Sequence, residues 1–157
     1  MPTAFTHPAA ALALAAFLRR RPTFSLLVAG STRAVLPGAD VVGLYLGVPY
    51  GHPAGHRGFN HSLLFAVLTG ALVAASWRRF VTRDHQARML LVYFSVATAS
   101  NGLLDALTNG GKGVGFFIPF DYGRYFFPYR PIRVAPIRAG DFLEQGWPVL
   151  ASELQWA

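Results

Sequence analysis

Cysteine is absent from the 157-residue sequence, which excludes a disulfide framework, a zinc–thiolate site and a thiol nucleophile. Any metal ion must then be held by His, Asp, Glu or Asn. Charge is scarce as well: 13% of the residues are charged, about half the share of a soluble domain. Hydrophobic residues account for 53% and the mean hydropathy is +0.36, a balance that suits lipid better than water. Uninterrupted apolar runs of the roughly 20 residues that a spanning helix needs are also missing. The apolar segments are therefore marginal spans, compatible with a bundle that crosses a bilayer or one partly sunk into it. A single domain over residues 1–157 is expected, long enough to bury a core.

The little charge present is lopsided, with 14 Lys and Arg against seven Asp and Glu and a formal net charge of +7. A nucleic-acid-binding face would spread its basic residues along one surface. Here they gather at the ends of apolar segments, at Arg19 to Arg21 and then at Arg78, Arg79, Arg83 and Arg88. That is membrane-flanking charge, so membrane lipid is an expected partner and nucleic acid is not. His85, among Arg83, Asp84 and Arg88, reads as solvated. Pro8 to Leu18 carries its positive charge after the apolar run, the reverse of a secretory signal, and no cleaved signal is expected.

The fold expected is all-α: an integral membrane bundle of about four membrane-embedded helices, with a Gly- and aromatic-rich loop region after the fourth. Pro8 to Leu18 forms the first helix, with Thr6 or His7 at its start. Phe24 to Leu36 forms the second, interrupted at Ser31-Thr32-Arg33 and ended by Pro37-Gly38-Ala39-Asp40. Val41 to Val48 reads as a loop or re-entrant segment. Leu63 to Trp77, with Ser62 near its start, and Met89 to Leu107 are the clean helices. A turn at Asn109 to Gly115 follows, and no Gly-Lys-Ser/Thr opens a helix there, so it is not a phosphate loop. Phe142 to Trp156 reads as a short terminal helix broken at Pro148.

The chemistry concentrates in Gly51-His52-Pro53-Ala54-Gly55-His56-Arg57-Gly58-Phe59-Asn60-His61-Ser62, where three histidines share a glycine-rich turn. Neutral imidazole donates a lone pair to metals near physiological pH. Glycines at 51, 55 and 58 let the backbone bend and bring His56 and His61 towards one point. If four helices alternate in direction, His7 precedes the first, Asp40 follows the second, His56 and His61 precede the third, and Asp105 lies near the end of the fourth. Alternation then puts all five at one end of the bundle and the Arg clusters at the other. Asn101 and Asp105 share a helical face, and polar groups deep in an apolar helix are costly enough to be site candidates. The pattern predicts a divalent ion, zinc first and manganese second, held by His56, His61 and Asp105 with His7 or Asp40. Asp40 would orient metal-activated water or accept its proton, and Arg57 or Arg124 would stabilise developing negative charge.

Each assignment has a plainer alternative. His7 also suits a helix start, His52 a turn former, and His56 and His61 donors to backbone carbonyls. Asp40 and Asp105 also suit helix caps or partners of Arg57. The aromatic run from Phe116 to Tyr129 reads as an interfacial belt or a substrate lid. Within it, Arg124 and Arg130 are placed to meet a phosphate or lipid headgroups. Ser62 follows a histidine, but no nucleophile elbow surrounds it.

Phe5-Thr6-His7, Leu36-Pro37 with Asp40, His56-Arg57-Gly58 with His61-Ser62, and Gly102-Leu103-Leu104-Asp105 occur in that order. They resemble the membrane-bound metal-dependent hydrolases, also described as LexA-binding, inner-membrane-associated hydrolases. Asp105 to Gly111, Pro119-Phe120, Arg124 to Pro128 and Arg130-Pro131-Ile132 extend the resemblance over nearly the whole chain. It implies a multi-pass protein of a bacterial or archaeal inner membrane with metal-dependent hydrolase activity, here on a phosphoester or lipid-like substrate. Two positions depart from the family pattern: Gly38 stands where an Asp is usual, and Asn101 where a His is usual. Glycine offers no ligand and asparagine only a neutral oxygen, so donors remain for one ion. The departures also support an alternative, a catalytically degenerate membrane protein that binds a metal or a protein partner without turnover.

Overall fold

A computed structural model describes residues 1–81, 86–137 and 139–156. Arg83, expected as membrane-flanking charge, and His85, expected to be solvated beside Asp84, lie outside the described residues. Among the described residues six α-helices form in chain order: α1 (Thr6–Leu18), α2 (Phe24–Val35), α3 (Val42–Tyr45), α4 (Leu63–Phe80), α5 (Ala87–Ala106) and α6 (Ala139–Trp156). Short 3-10 turns at Leu36–Val41 and Phe59–His61 join them. Among the described residues the extended backbone pairs only at isolated bridges, Thr108 with Ile132 and Val114 with Tyr125. The chain is all-helical, as its sequence suggests.

Local chemistry sets the helix starts. The Thr23 hydroxyl accepts from the Leu26 amide and opens α2, and the Ser62 hydroxyl accepts from the Phe65 amide at 3.1 Å and opens α4. No side chain of its own caps α1. Instead Glu153 of α6 reaches its first turn, accepting from the Thr3 amide and from the Thr3 and Thr6 hydroxyls at 2.5 Å each. A carboxylate at a helix N-terminus is favoured by the unpaired amides there.

Two helices run through expected interruptions. α2 continues across Ser31-Thr32-Arg33 because the Thr32 hydroxyl returns to the Val28 carbonyl at 3.0 Å and Arg33 turns inward. There its guanidinium donates to the hydroxyls of Thr98 and Thr69, on α5 and α4. α6 likewise continues through Pro148, whose ring is exposed. Val41 to Val48, expected as a loop, contains the single turn α3.

Helices α1, α2, α4 and α5 pack as a bundle, with α4 on α5 and α1 and α2 against each other and against α5. Its interior is small: Ala11, Ala15, Ala34, Ala66, Ala74 and Ala97 are buried. Tyr93 and Phe94 supply the bulk, and Phe94 stacks with Trp77 at 5.6 Å between ring centroids. Leu26 and Leu90 join them, but many of the large aliphatic and aromatic side chains face outwards, Phe17 at 86% and Leu72 at 67% exposure among them. Small inside and large outside is the packing of helices in lipid, where burying apolar surface between helices brings no hydrophobic gain. Two helices, α4 and α5, are long and apolar enough to cross a membrane. The 13-residue α1 is apolar but shorter, about 20 Å against a hydrocarbon core of about 30 Å. The four-helix bundle is present, and two of its members have the length of a span.

Candidate functional site

The bundle's loop end brings together side chains from four separate segments. The 3-10 turn after α2 carries Asp40, the glycine-rich loop carries His56 and Arg57, the turn before α4 carries His61, and the last turn of α5 carries Asp105. The loop folds tightly because a Cβ at Gly55 would lie 2.3 Å from the Pro49 carbonyl oxygen, and one at Gly58 would lie 2.2 Å from that of Pro53. Gly51 has no such close neighbour, so two of the three loop glycines are demanded by space. Arg57 adopts a left-handed backbone with φ of 59°, uncommon for a residue with a side chain. Its amide donates to Asp40 Oδ2 at 3.0 Å and its carbonyl accepts from Gly115 at 2.9 Å.

Asp40 lies behind both histidines of the cluster. Its Oδ1 is 2.5 Å from His56 Nδ1 and its Oδ2 is 3.1 Å from His61 Nδ1. His61 Nε2 then faces Asp105 Oδ2 at 3.3 Å. The His61 contacts are close enough for ion pairing but are not aligned as hydrogen bonds, and both its ring nitrogens lack a hydrogen-bond partner. Burial alone would lower the His61 pKa, but Asp105 and Asp40 outweigh it and raise the imidazole to about 9. Burial would raise Asp40, but the hydrogen bond to His56 and the adjacent His61 outweigh that and hold its carboxyl below the usual range.

The two arginines expected to meet negative charge have internal partners. Arg57 is fully buried, with Nε 3.1 Å from Asp105 Oδ2, Nη1 donating to Gly110 O at 2.9 Å and Nη2 to Thr108 Oγ1 at 3.2 Å. Arg124 donates to the carbonyls of His56, Tyr50 and His52, at 2.8, 3.1 and 3.0 Å. Both position the loop. Thr108 and Tyr50 escaped sequence reading. Thr108 links Arg57 to the end of α5 by donating to Asp105 O at 2.7 Å. The Tyr50 ring meets His56 edge-on at 5.1 Å between centroids. A lone Thr or Tyr in a loop gives no periodic signal.

His7 is buried at 1% exposure with both ring nitrogens unpartnered, within electrostatic reach of Asp105 and His61. It lines a cavity of about 640 Å³ between α1 and α2. A more polar cavity of about 390 Å³ is lined by His56, Arg57 and Tyr50. His52 is exposed and its Nδ1 accepts from the Ala54 amide at 3.1 Å, which shapes the turn. Asn101 is buried and donates to the Ala34 carbonyl at 2.6 Å. Phe120, Tyr122 and Tyr129 of the aromatic run point outwards, while Phe116 is buried under the loop.

The donors are of the types that bind zinc or manganese, and His7, His61 and Asp105 all carry buried polar atoms without hydrogen-bond partners. In chemistry and burial they fit a divalent ion. Among the described residues, however, no group of three or more His, Asp or Glu side chains is set out to hold a metal ion. The carboxylates turn onto the histidines instead.

A model of the YdjM inner membrane protein family matches residues 1–152. The inner membrane protein YbcI of Escherichia coli K12 is 40% identical over 158 aligned positions, covering 99% of this chain and 90% of that protein. No solved structure matches. Both descriptions name the inner membrane, as the flanking charge and the earlier resemblance implied; neither names a hydrolase, a metal or LexA.

Proposed function

The chain belongs to the YdjM inner membrane protein family, and from that membership together with its buried His–Asp cluster we propose a multi-pass inner-membrane hydrolase. Its buried His–Asp cluster would bind one divalent ion, zinc first and manganese second, and act on a phosphoester or lipid-like substrate. α1 and α2 would sit in the bilayer beside the two longer helices. The observation that supports this best is the burial of His7, His56, His61 and Asp105, each at 2% exposure or less, in a chain so poor in charge. Several ionisable groups taken out of water cost several kcal/mol each unless paired or used, and such groups concentrate at functional sites.

His56, His61 and Asp105 would hold the ion. Asp40 orients the first two, bonded to His56 Nδ1 and lying 3.1 Å from His61 Nδ1, which would leave each Nε2 to face an ion, as carboxylates behind metal-binding histidines do. When bound, such an ion acts as a Lewis acid and lowers the pKa of coordinated water. Arg57 fixes Asp105, and Arg124 fixes the loop carrying His56. His7, unpartnered beside the cluster, either completes the ligand set or exchanges a proton with the substrate.

Elemental analysis of tag-free protein purified in detergent tests this reading. The wild type is expected to hold about one ion, and His61→Ala to lose both the ion and turnover of a chromogenic phosphoester. A wild type that stays empty after zinc and manganese are offered overturns it, as does full turnover in His61→Ala with the metal gone. One observation favours the degenerate alternative. A Cβ at Gly38 would lie 3.7 Å from Asn101 Nδ2, so the two departures from the family pattern are neighbours in space. Turnover appearing only when Gly38→Asp and Asn101→His are combined would decide for that alternative.

A further inference from the structure

The larger cavity beside His7 is not used by the chemistry above. Its walls are mostly apolar, with Ala4, Val35, Leu36, Ala39 and Val41 among them and the hydroxyl residues Ser31 and Thr32 from α2, and its volume of about 640 Å³ is that of a small-molecule site. His7 is the buried polar group among them, with both ring nitrogens unpartnered. The cavity runs between α1 and α2, whose outward Leu12, Val28 and Phe24 are exposed as lipid-facing side chains are. A largely apolar chamber with one buried, unpartnered polar side chain, on a membrane protein, matches an amphipathic ligand taken from the surrounding bilayer.

We propose that this cavity receives one acyl chain of a membrane phospholipid, and that His7 meets the polar linkage at the head of that chain. The proposal builds on the hydrolase reading, since His7 belongs to the same cluster and the lipid would be the substrate class. Hydrocarbon against the α1–α2 wall would carry affinity, and the ring nitrogens would give the linkage a hydrogen-bond partner in a place without water.

Retention of added phosphatidylglycerol by detergent-purified protein, counted by native mass spectrometry, tests it without turnover. The wild type is expected to keep one lipid. Thr32→Trp and Ala39→Trp fill the cavity from exposed positions on its rim and should weaken retention by about tenfold or more. Val67→Trp, exposed on α4 away from the cavity, should retain lipid like the wild type. His7→Leu, which keeps bulk and removes the ring nitrogens, should also weaken it. Equal retention in all variants would place the lipid in the general belt and overturn the proposal, as would a wild type that keeps none. Unchanged retention in His7→Leu overturns the role given to His7. Metal content of the same samples separates the two readings: lipid without metal fails only the hydrolase reading, and metal without lipid fails only this one.

Discussion

Among single side chains, His61 has the most to reveal about pH. Two carboxylates raise it from 6.5 to about 9 against the opposing effect of burial. A base with a raised folded pKa contributes stability that is fully present below its unfolded pKa and is lost as pH rises through the folded one. Asp40, held low by His56 and His61, behaves oppositely: its contribution is present above the unfolded carboxylate pKa and is lost in acid. In chelator-treated protein in detergent, the stability difference between the wild type and His61→Gln is therefore expected to be largest below about pH 6.5. That difference should shrink by up to about 3 kcal/mol between about pH 6.5 and 9. A difference that stays constant over the same range would contradict the pairing. The sequence made His56, His61, Asp40 and Asp105 visible because histidines crowd one glycine-rich turn and alternating helices carry the acids to it. It did not show that Asp40 faces the Nδ1 atoms of both histidines, nor that the Arg57 and Arg124 guanidiniums are occupied by carbonyls and hydroxyls. Those roles depend on which atom of a side chain faces which neighbour, and spacing carries no such detail.

Helices differ in how far their own residues determine them. α4 and α5 were readable to within a few residues because each is a long apolar run with polar ends. The continuity of α2 was not, since a threonine and an arginine in an apolar run look like a break until their hydroxyl and guanidinium find partners on other helices. Nor was the tie from Glu153 to the start of α1, a contact between the two ends of the sequence. Close approach of α4 to α5 rests on Gly70. A Cβ there would lie 2.3 Å from Ser95 Oγ and 2.7 Å from Ser95 N, and the Ser95 backbone has no rotamer to escape into. Gly70→Ala gains about 1 kcal/mol of helix propensity, but the overpacking costs about 1–3 kcal/mol. The variant is expected to melt several degrees below the wild type in detergent. Gly51→Ala, with open space around it, should lie within about 0.5 kcal/mol of the wild type. Equal melting of all three would mean that the helices do not meet at Gly70.

For the whole molecule, the inverted core and the segregated ends lead to one arrangement. Alanine and glycine make up much of the bundle interior while many of its leucines, valines and phenylalanines face out, so the surrounding medium must accept apolar side chains along α4 and α5. The ionisable cluster sits at the ends of the bundle where α4 begins and α5 finishes, and Arg78 and Arg79 close α4 at the other. If both helices cross the membrane, the loop before α4 and the aromatic segment after α5 must share one face, with the end of α4 on the opposite face. Flanking charge alone does not choose the face, because Lys112, Arg124, Arg130 and Arg133 lie beyond α5 and compete with the arginines at the other end. The absence of native cysteine makes the arrangement directly measurable. Single cysteines at Ala54, Tyr122 and Arg79, all exposed, can be offered a membrane-impermeant maleimide in sealed vesicles of known orientation. Ala54→Cys and Tyr122→Cys are expected to label together from one side, and Arg79→Cys only from the other. Labelling of all three from one side would mean that α4 and α5 lie on the membrane without crossing it. The cluster would then open at the surface plane instead of facing one compartment, and substrates from only one side of the bilayer would reach His7 through the α1–α2 cavity.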